Sequence, residues 1–151
     1  MTDSSKLVEY VTFTTAGQLF GLPIERVQDV FKPARITRVP LAGPQIAGVL
    51  NLRGRIVTAV HLCHRLELES ATPPAAPMAI GIESGTESFG LLVDTVGEVL
   101  RLPEQELEEN PINLDRRLAR VCAGVHRLDG QLLVVLDVDR VLELGVELAA
   151  A

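Results

Sequence analysis

Ala47-Gly48-Val49-Leu50-Asn51-Leu52-Arg53-Gly54-Arg55-Ile56 is echoed 76 positions later by Ala123-Gly124-Val125-His126-Arg127-Leu128-Asp129-Gly130-Gln131-Leu132. In each copy apolar residues run up to an Arg-Gly or Asp-Gly pair and resume after it, which reads as a hairpin with a tight turn. The echo extends outward. Phe20-Gly21-Leu22, Ile24, Val27, Asp29 and Val30 recur 69 positions later as Phe89-Gly90-Leu91, Val93, Val96, Glu98 and Val99. The change of offset means that the second copy has gained about seven residues, expected in the acidic, polar stretch from Pro103 to Arg117. Two units are too few to stack as a solenoid, so the pattern is an internal duplication.

Each copy is mostly strand by pattern. Glu9 to Thr14 alternates, with Tyr10 and Thr12 on one face and Val11 and Phe13 on the other. Val121–Arg127 and Gln131–Asp137 flank the turn at Leu128-Asp129-Gly130. Asp137 to Leu144 reads as a short closing helix with Val138, Val141 and Leu142 on one face and Gly145 as its stop. Pro23 and Pro40 suit strand starts or edges. Ser70 to Pro77 reads as a flexible linker. The predicted fold class is all-β with short helices: two small five-stranded barrels packed together, with copies at about 9–68 and 78–145 and a linker at 69–77.

The 151 residues suffice for one domain with a sizeable core. Apolar residues make up 47% of the chain, yet no apolar run approaches the ~20 residues needed to cross a bilayer. Met1 to Tyr10 lacks the basic start and apolar centre of a secretory signal, so a cytoplasmic protein is expected. A net charge of −6 argues against nucleic acid and anionic membranes. The two cysteines, Cys63 and Cys122, are too few for a disulfide scaffold and are expected as buried free thiols.

The sequence offers little chemistry. It has no phosphate-cradling Gly-rich loop and no nucleophile elbow. His61, Cys63 and His64 could donate to zinc or copper, but a structural site wants four ligands and no second cluster supplies them. Period-two spacing puts His61 and Cys63 on one side of a continuing strand with His64 elsewhere, so a strand end with one buried thiol is expected. Asp137 and Asp139 suit a helix cap and a dipole partner. Glu104, Glu106, Glu108 and Glu109, with Asp94 and Glu98 upstream, lack calcium-loop spacing and read as a solvated face. One position breaks a local rule: Arg53 stands at a hairpin tip where positive φ favours Asp, Asn or Gly. Such inconsistencies tend to mark functional positions.

The segment from Ile46 to Leu62 resembles the signature of the CheW family, the coupling proteins of bacterial chemosensory arrays. Phe20 to Val30, Gly90 to Leu100 and Gly130 to Asp137 resemble its other motifs, in the family's order, so the resemblance runs from about Glu9 to Leu144. It implies two SH3-like barrel subdomains and a non-enzymatic adaptor without cofactor. The implied partners are the cytoplasmic tip of a chemoreceptor, the regulatory domain of a CheA-type histidine kinase, and other CheW-like domains in array rings. It also implies a receptor-facing groove at Val27, Asp29, Gly48, Arg53 and Val96, with the equivalent Val27 and Val96 presented between subdomains. The kinase-binding surface is not located; apolar barrel ends are its natural candidates.

This chain departs from the family pattern at Thr58, where Pro is frequent, and at His61, where Asp is usual. Three alternatives stand beside the adaptor. They are a regulatory module of a related pathway (twitching motility or second-messenger control), a domain cut from a larger chain, and a metal-dependent enzyme using His61, Cys63 and His64. The start at Met1 and the closing helix before Ala149 argue for an intact module.

Overall fold

The computed structural model describes residues 6–68, 75–109 and 114–143. The expected linker lies largely outside these residues, as does Gly145. The first copy forms β1 (Leu7–Thr15), β2 (Gln18–Pro23), β3 (Val27–Phe31), β4 (Ile46–Leu52), β5 (Arg55–His61) and the single-turn α1 (Leu62–Arg65). The second forms β6 (Met78–Ser84), β7 (Glu87–Val93), β8 (Thr95–Pro103), α2 (Arg116–Ala119), β9 (Cys122–Leu128), β10 (Gln131–Leu136) and α3 (Val138–Val141). Apart from α2, each element sits at the offset the repeat predicts. The added residues fall where expected: α2 and a 3-10 turn at Glu104–Glu106 separate β8 from β9.

The two sheets are five-stranded, as expected, but they do not follow the two copies. One has the order β8-β1-β2-β10-β9 and the other β3-β6-β7-β5-β4. Each therefore takes its first two strands from one copy and its other three from the other. The expectation that 9–68 and 78–145 are the two structural subdomains is corrected accordingly. One unit is residues 27–93; the other combines 7–23 with 95–136. The exchange happens at two short crossings, the 3-10 turn Ile24–Arg26 after β2 and Asp94 after β7. Parallel pairing of β10 with β2, and of β5 with β7, joins the copies within each sheet.

Thr37, beyond β3, bridges Val49 on the opposite edge strand β4, and Glu108 does the same to Val125. These bridges curl each sheet toward a barrel. Three apolar clusters follow. Phe13, Phe20, Leu22, Ile80, Leu91 and Leu136 belong to the shared core between the sheets, with the Phe13 and Phe20 rings stacked at 5.6 Å. Leu50, Val57, Ala59 and Ala79 fill one barrel; Tyr10, Leu133 and Val135 fill the other. Each fully buried Phe or Leu contributes about 1.5–3 kcal/mol. The alternation in β1 thus separates two cores rather than core from solvent: Phe13 enters the shared one and Tyr10 its barrel's own.

All three single-turn helices reach the shared core, through Leu62 in α1, Leu118 in α2, and Val138 and Val141 in α3. Asp137 caps α3, accepting from the Arg140 N–H at 3.2 Å. Arg65 of α1 donates to the carbonyls of Val141 (2.7 Å) and Arg140 (2.9 Å), tying the ends of the two copies together. Among the described residues, no helix is long and apolar enough to cross a membrane.

Candidate functional site

The β4–β5 turn holds Arg53 at φ 54 and Gly54 at φ 84, both positive as a type I′ turn requires. Asn51 supports the turn, its Oδ1 accepting from the Gly54 N–H at 2.9 Å. At the matching tip of the second copy only Gly130 has positive φ. The irregularity seen at Arg53 in the sequence is therefore a real backbone constraint that the fold itself does not demand of an arginine.

That turn swings Arg53 over β3. Its Nη1 stands 3.3 Å from Asp29 Oδ2, while Asp29 Oδ1 accepts from the Val30 N–H at 2.9 Å. Arg53 is 79% exposed, so the pair is worth no more than about 0–1 kcal/mol. The pair therefore holds the Arg53 side chain in place only weakly.

Beneath the pair lies a cavity of ≈ 120 Å³. Phe31, Leu52, Val57, Ile82 and Phe89 give it apolar walls, and Asp29, Arg53, Arg55, Glu83 and Ser88 a polar rim. It is well below the ~300–1,000 Å³ typical of small-molecule sites and suits a single inserted side chain. Arg55 pairs with Glu83 and donates to Ser88 Oγ at 3.1 Å. The cavity owes part of its space to Gly81, whose absent Cβ would lie 3.6 Å from Phe31 Cε1. Sequence reading found Asp29 and Arg53 but missed Arg55, Glu83 and the two aromatic walls. The aligned pair Gly81 and Gly90, small residues inside otherwise bulky strands, was the available signal.

The other three groove residues lie elsewhere. Gly48 is buried, at φ 149 beside a bulge in the β4–β5 pairing. Val27 opens β3 opposite Ile82, and Val96 lies in β8 opposite Phe13, each beside a bulge. Both valines are partly buried against the shared core, one from each sheet. The structure therefore brings Asp29 and Arg53 together and sets the two valines at equivalent points of the two sheets.

His61, Cys63 and His64 are arranged differently from expectation. The strand ends at His61 and the chain turns into α1, so Cys63 enters the core while the His61 and His64 rings meet edge-to-face at 5.5 Å. Burial, and then neighbouring His64, lower the His61 pKa; burial raises the Cys63 thiol. Among the described residues, no three His, Cys, Asp or Glu side chains are grouped to hold a metal ion.

Comparison with known proteins agrees with this architecture. The chemotaxis protein CheW of Thermotoga maritima is 29% identical over 143 residues, covering 95% of this chain and 93% of that protein. The chemotaxis protein CheW of Rhizobium meliloti is 27% identical, with 88% and 86% covered. The crystal structure of the scaffolding protein TtCheW from Thermoanaerobacter tengcongensis superposes with a TM-score of 0.81 at 26% identity, covering 95% of this chain and 92% of that one. The family model of the CheW-like domain matches residues 9–145, and with nearly the whole chain inside that match, the protein belongs to the CheW-like family.

Proposed function

We propose that this chain is a non-enzymatic adaptor that couples the cytoplasmic tip of a chemoreceptor to the regulatory domain of a CheA-type histidine kinase. The observation that carries the reading is the small apolar cavity rimmed by the exposed Asp29–Arg53 pair. A helical hairpin tip docks there by inserting one apolar side chain between Phe31 and Phe89, while a carboxylate beside it engages Arg53. Val27 and Val96 extend the apolar contact toward the junction of the sheets, and Gly48 shapes the strand that carries Arg53. The family, and relatives named for chemotaxis and scaffolding, support an adaptor over an enzyme. The absence of a three-ligand cluster among the described residues gives the metal-enzyme alternative no support.

The test is capture of receptor cytoplasmic fragments and of the kinase regulatory domain by tagged protein. Wild type should hold both, and Arg53→Ala should lose receptor while keeping kinase. Folded protein that captures neither partner, tried against the host's full set, overturns the adaptor reading.

A further inference from the structure

Charge is segregated along this chain. From Val30 to Leu66 there are six basic residues and no Asp or Glu, leaving 8 basic residues against all 20 acidic ones elsewhere. Three of the six are used within the fold: Arg53 faces Asp29, Arg55 faces Glu83, and Arg65 caps α3. The other three, Lys32, Arg35 and Arg38, are exposed on the β3–β4 connection, and among the described residues none has an ion-pair partner. The same connection exposes Val39 (42%) and Leu41 (105%), with Leu41 held at φ 66, a conformation an aliphatic side chain avoids. Behind it lies a cavity lined by Arg38, His61 and His64 without any carboxylate.

This connection is also held in place. Thr37 and Val49 exchange both backbone hydrogen bonds at 2.8 Å, and the His61 N–H donates to the Gln45 carbonyl at 2.7 Å. The duplication shows that the fold does not require these charges. At the positions of His61 and His64 the second copy has Asp137 and Arg140, 3.7 Å apart. Its matching connection opens with Glu104, Glu106, Glu108 and Glu109, and its cations, Arg116, Arg117 and Arg120, come only with α2 and the residue after it.

We propose that the β3–β4 connection and the cavity behind it form a docking surface for an acidic protein segment. Carboxylates of the segment meet Lys32, Arg35 and Arg38, and an apolar side chain packs on Val39 and Leu41. The cations speed and orient encounter, and the apolar contacts hold the complex. Localised positive charge on an otherwise acidic protein selects a compact acidic segment over an extended anionic surface, which would also face the acidic remainder of the chain. The inference rests on the adaptor reading in one respect: a bridge needs a second face, distinct from the Asp29–Arg53 cavity.

The full chain is titrated with a labelled glutamate–leucine peptide, its glutamine–leucine counterpart and phosphatidylglycerol vesicles, and its own association is followed by sedimentation velocity. The acidic peptide should bind saturably and more weakly as salt rises. The variant Lys32→Glu/Arg35→Glu/Arg38→Glu should lose about tenfold or more. Leu41→Ser should also weaken binding, and reversal of an exposed cation on α2, Arg116→Glu, should not. Unchanged circular dichroism keeps the comparison meaningful, because every altered side chain is exposed. Equal binding of the glutamine peptide, indifference to the variants, preference for vesicles, or self-association abolished by the triple variant would each overturn the proposal. Acidic-peptide binding without receptor capture would retain this surface and remove the adaptor; receptor capture without peptide binding would do the reverse.

Discussion

Gly48 passes so close to the Thr37 carbonyl that a Cβ on it would lie 2.2 Å from that oxygen and 2.8 Å from Ile36 Cγ2. The approach is what lets Thr37 bridge Val49 and close the edge of the 27–93 sheet. Neither obstacle is the end of a flexible side chain, and φ 149 is itself unsuited to a residue with Cβ. Gly48→Ala should therefore destabilise by at least about 2 kcal/mol. Gly54→Ala, at positive φ but with nothing within 4 Å, should lose only about 1 kcal/mol. Urea denaturation of both variants checks the difference, and comparable losses would refute the backbone clash.

Arg53 separates stability from binding. A non-glycine residue in the left-handed region costs about 1 kcal/mol, and Asn tolerates it best before Gly in a type I′ turn. Arg53→Asn should raise stability by about 0.5–1 kcal/mol, since the exposed pair it forfeits is worth little. The same variant should weaken receptor capture. A variant that is both less stable and weaker in capture would mean that Arg53 serves the fold.

The origin of this legibility is physical. A hairpin records itself locally, in turn residues and flanking alternation, so β4–β5 and β9–β10 stand where the repeat places them. Arg53 is visible as a mismatch because turn chemistry is local too. Strand exchange leaves no such mark: alternation tells which face of β1 or β6 is buried but not which strand lies beside it. Tyr10 and Phe13, read as opposite faces, both prove buried because separate cores lie on either side. Nor does spacing reveal that the chain turns after His61, which swings His64 toward His61 and sends Cys63 inward.

His126, 1% exposed, stands in place of Leu50 of the other copy, its Nε2 3.4 Å from the Tyr10 hydroxyl. Burial lowers its pKa, partly opposed by Glu106. The unfolded chain therefore takes up a proton near pH 6.5 while the folded chain resists it. Its contribution is complete above that pH and is lost as pH falls toward the lower folded value. Denaturation midpoints should drop between about pH 7.5 and about pH 5.5. His126→Leu should shrink the drop without abolishing it, because His61 is shifted in the same direction. At neutral pH that variant should lose about 1–3 kcal/mol, having left the Tyr10 hydroxyl unpaired. An unchanged pH dependence would assign it to another group.

Cys63 and Cys122 are free and buried, and burial raises both thiols. A thiolate-selective reagent should leave both untouched in the native protein and label both in denaturant. Rapid native labelling would show that α1 or the start of β9 opens readily.

Strand exchange makes a sharper claim about assembly. Cutting the chain within 69–77 leaves one fragment with β1–β5 and another with β6–β10. Each fragment then holds strands of both sheets and completes neither, since β1 and β2 need β8, β9 and β10, while β6 and β7 need β3, β4 and β5. Phe13 and Phe20 would lose Leu136 from their own sheet and Ile80 from the other, their partners in the shared core. The separate fragments should lack cooperative unfolding. Mixed, they should form a one-to-one complex with native circular dichroism and unfold as a unit at a concentration-dependent midpoint. If each fragment instead unfolds cooperatively by itself, the copies can close their own barrels, and the exchange is a choice of packing rather than a requirement of the sequence.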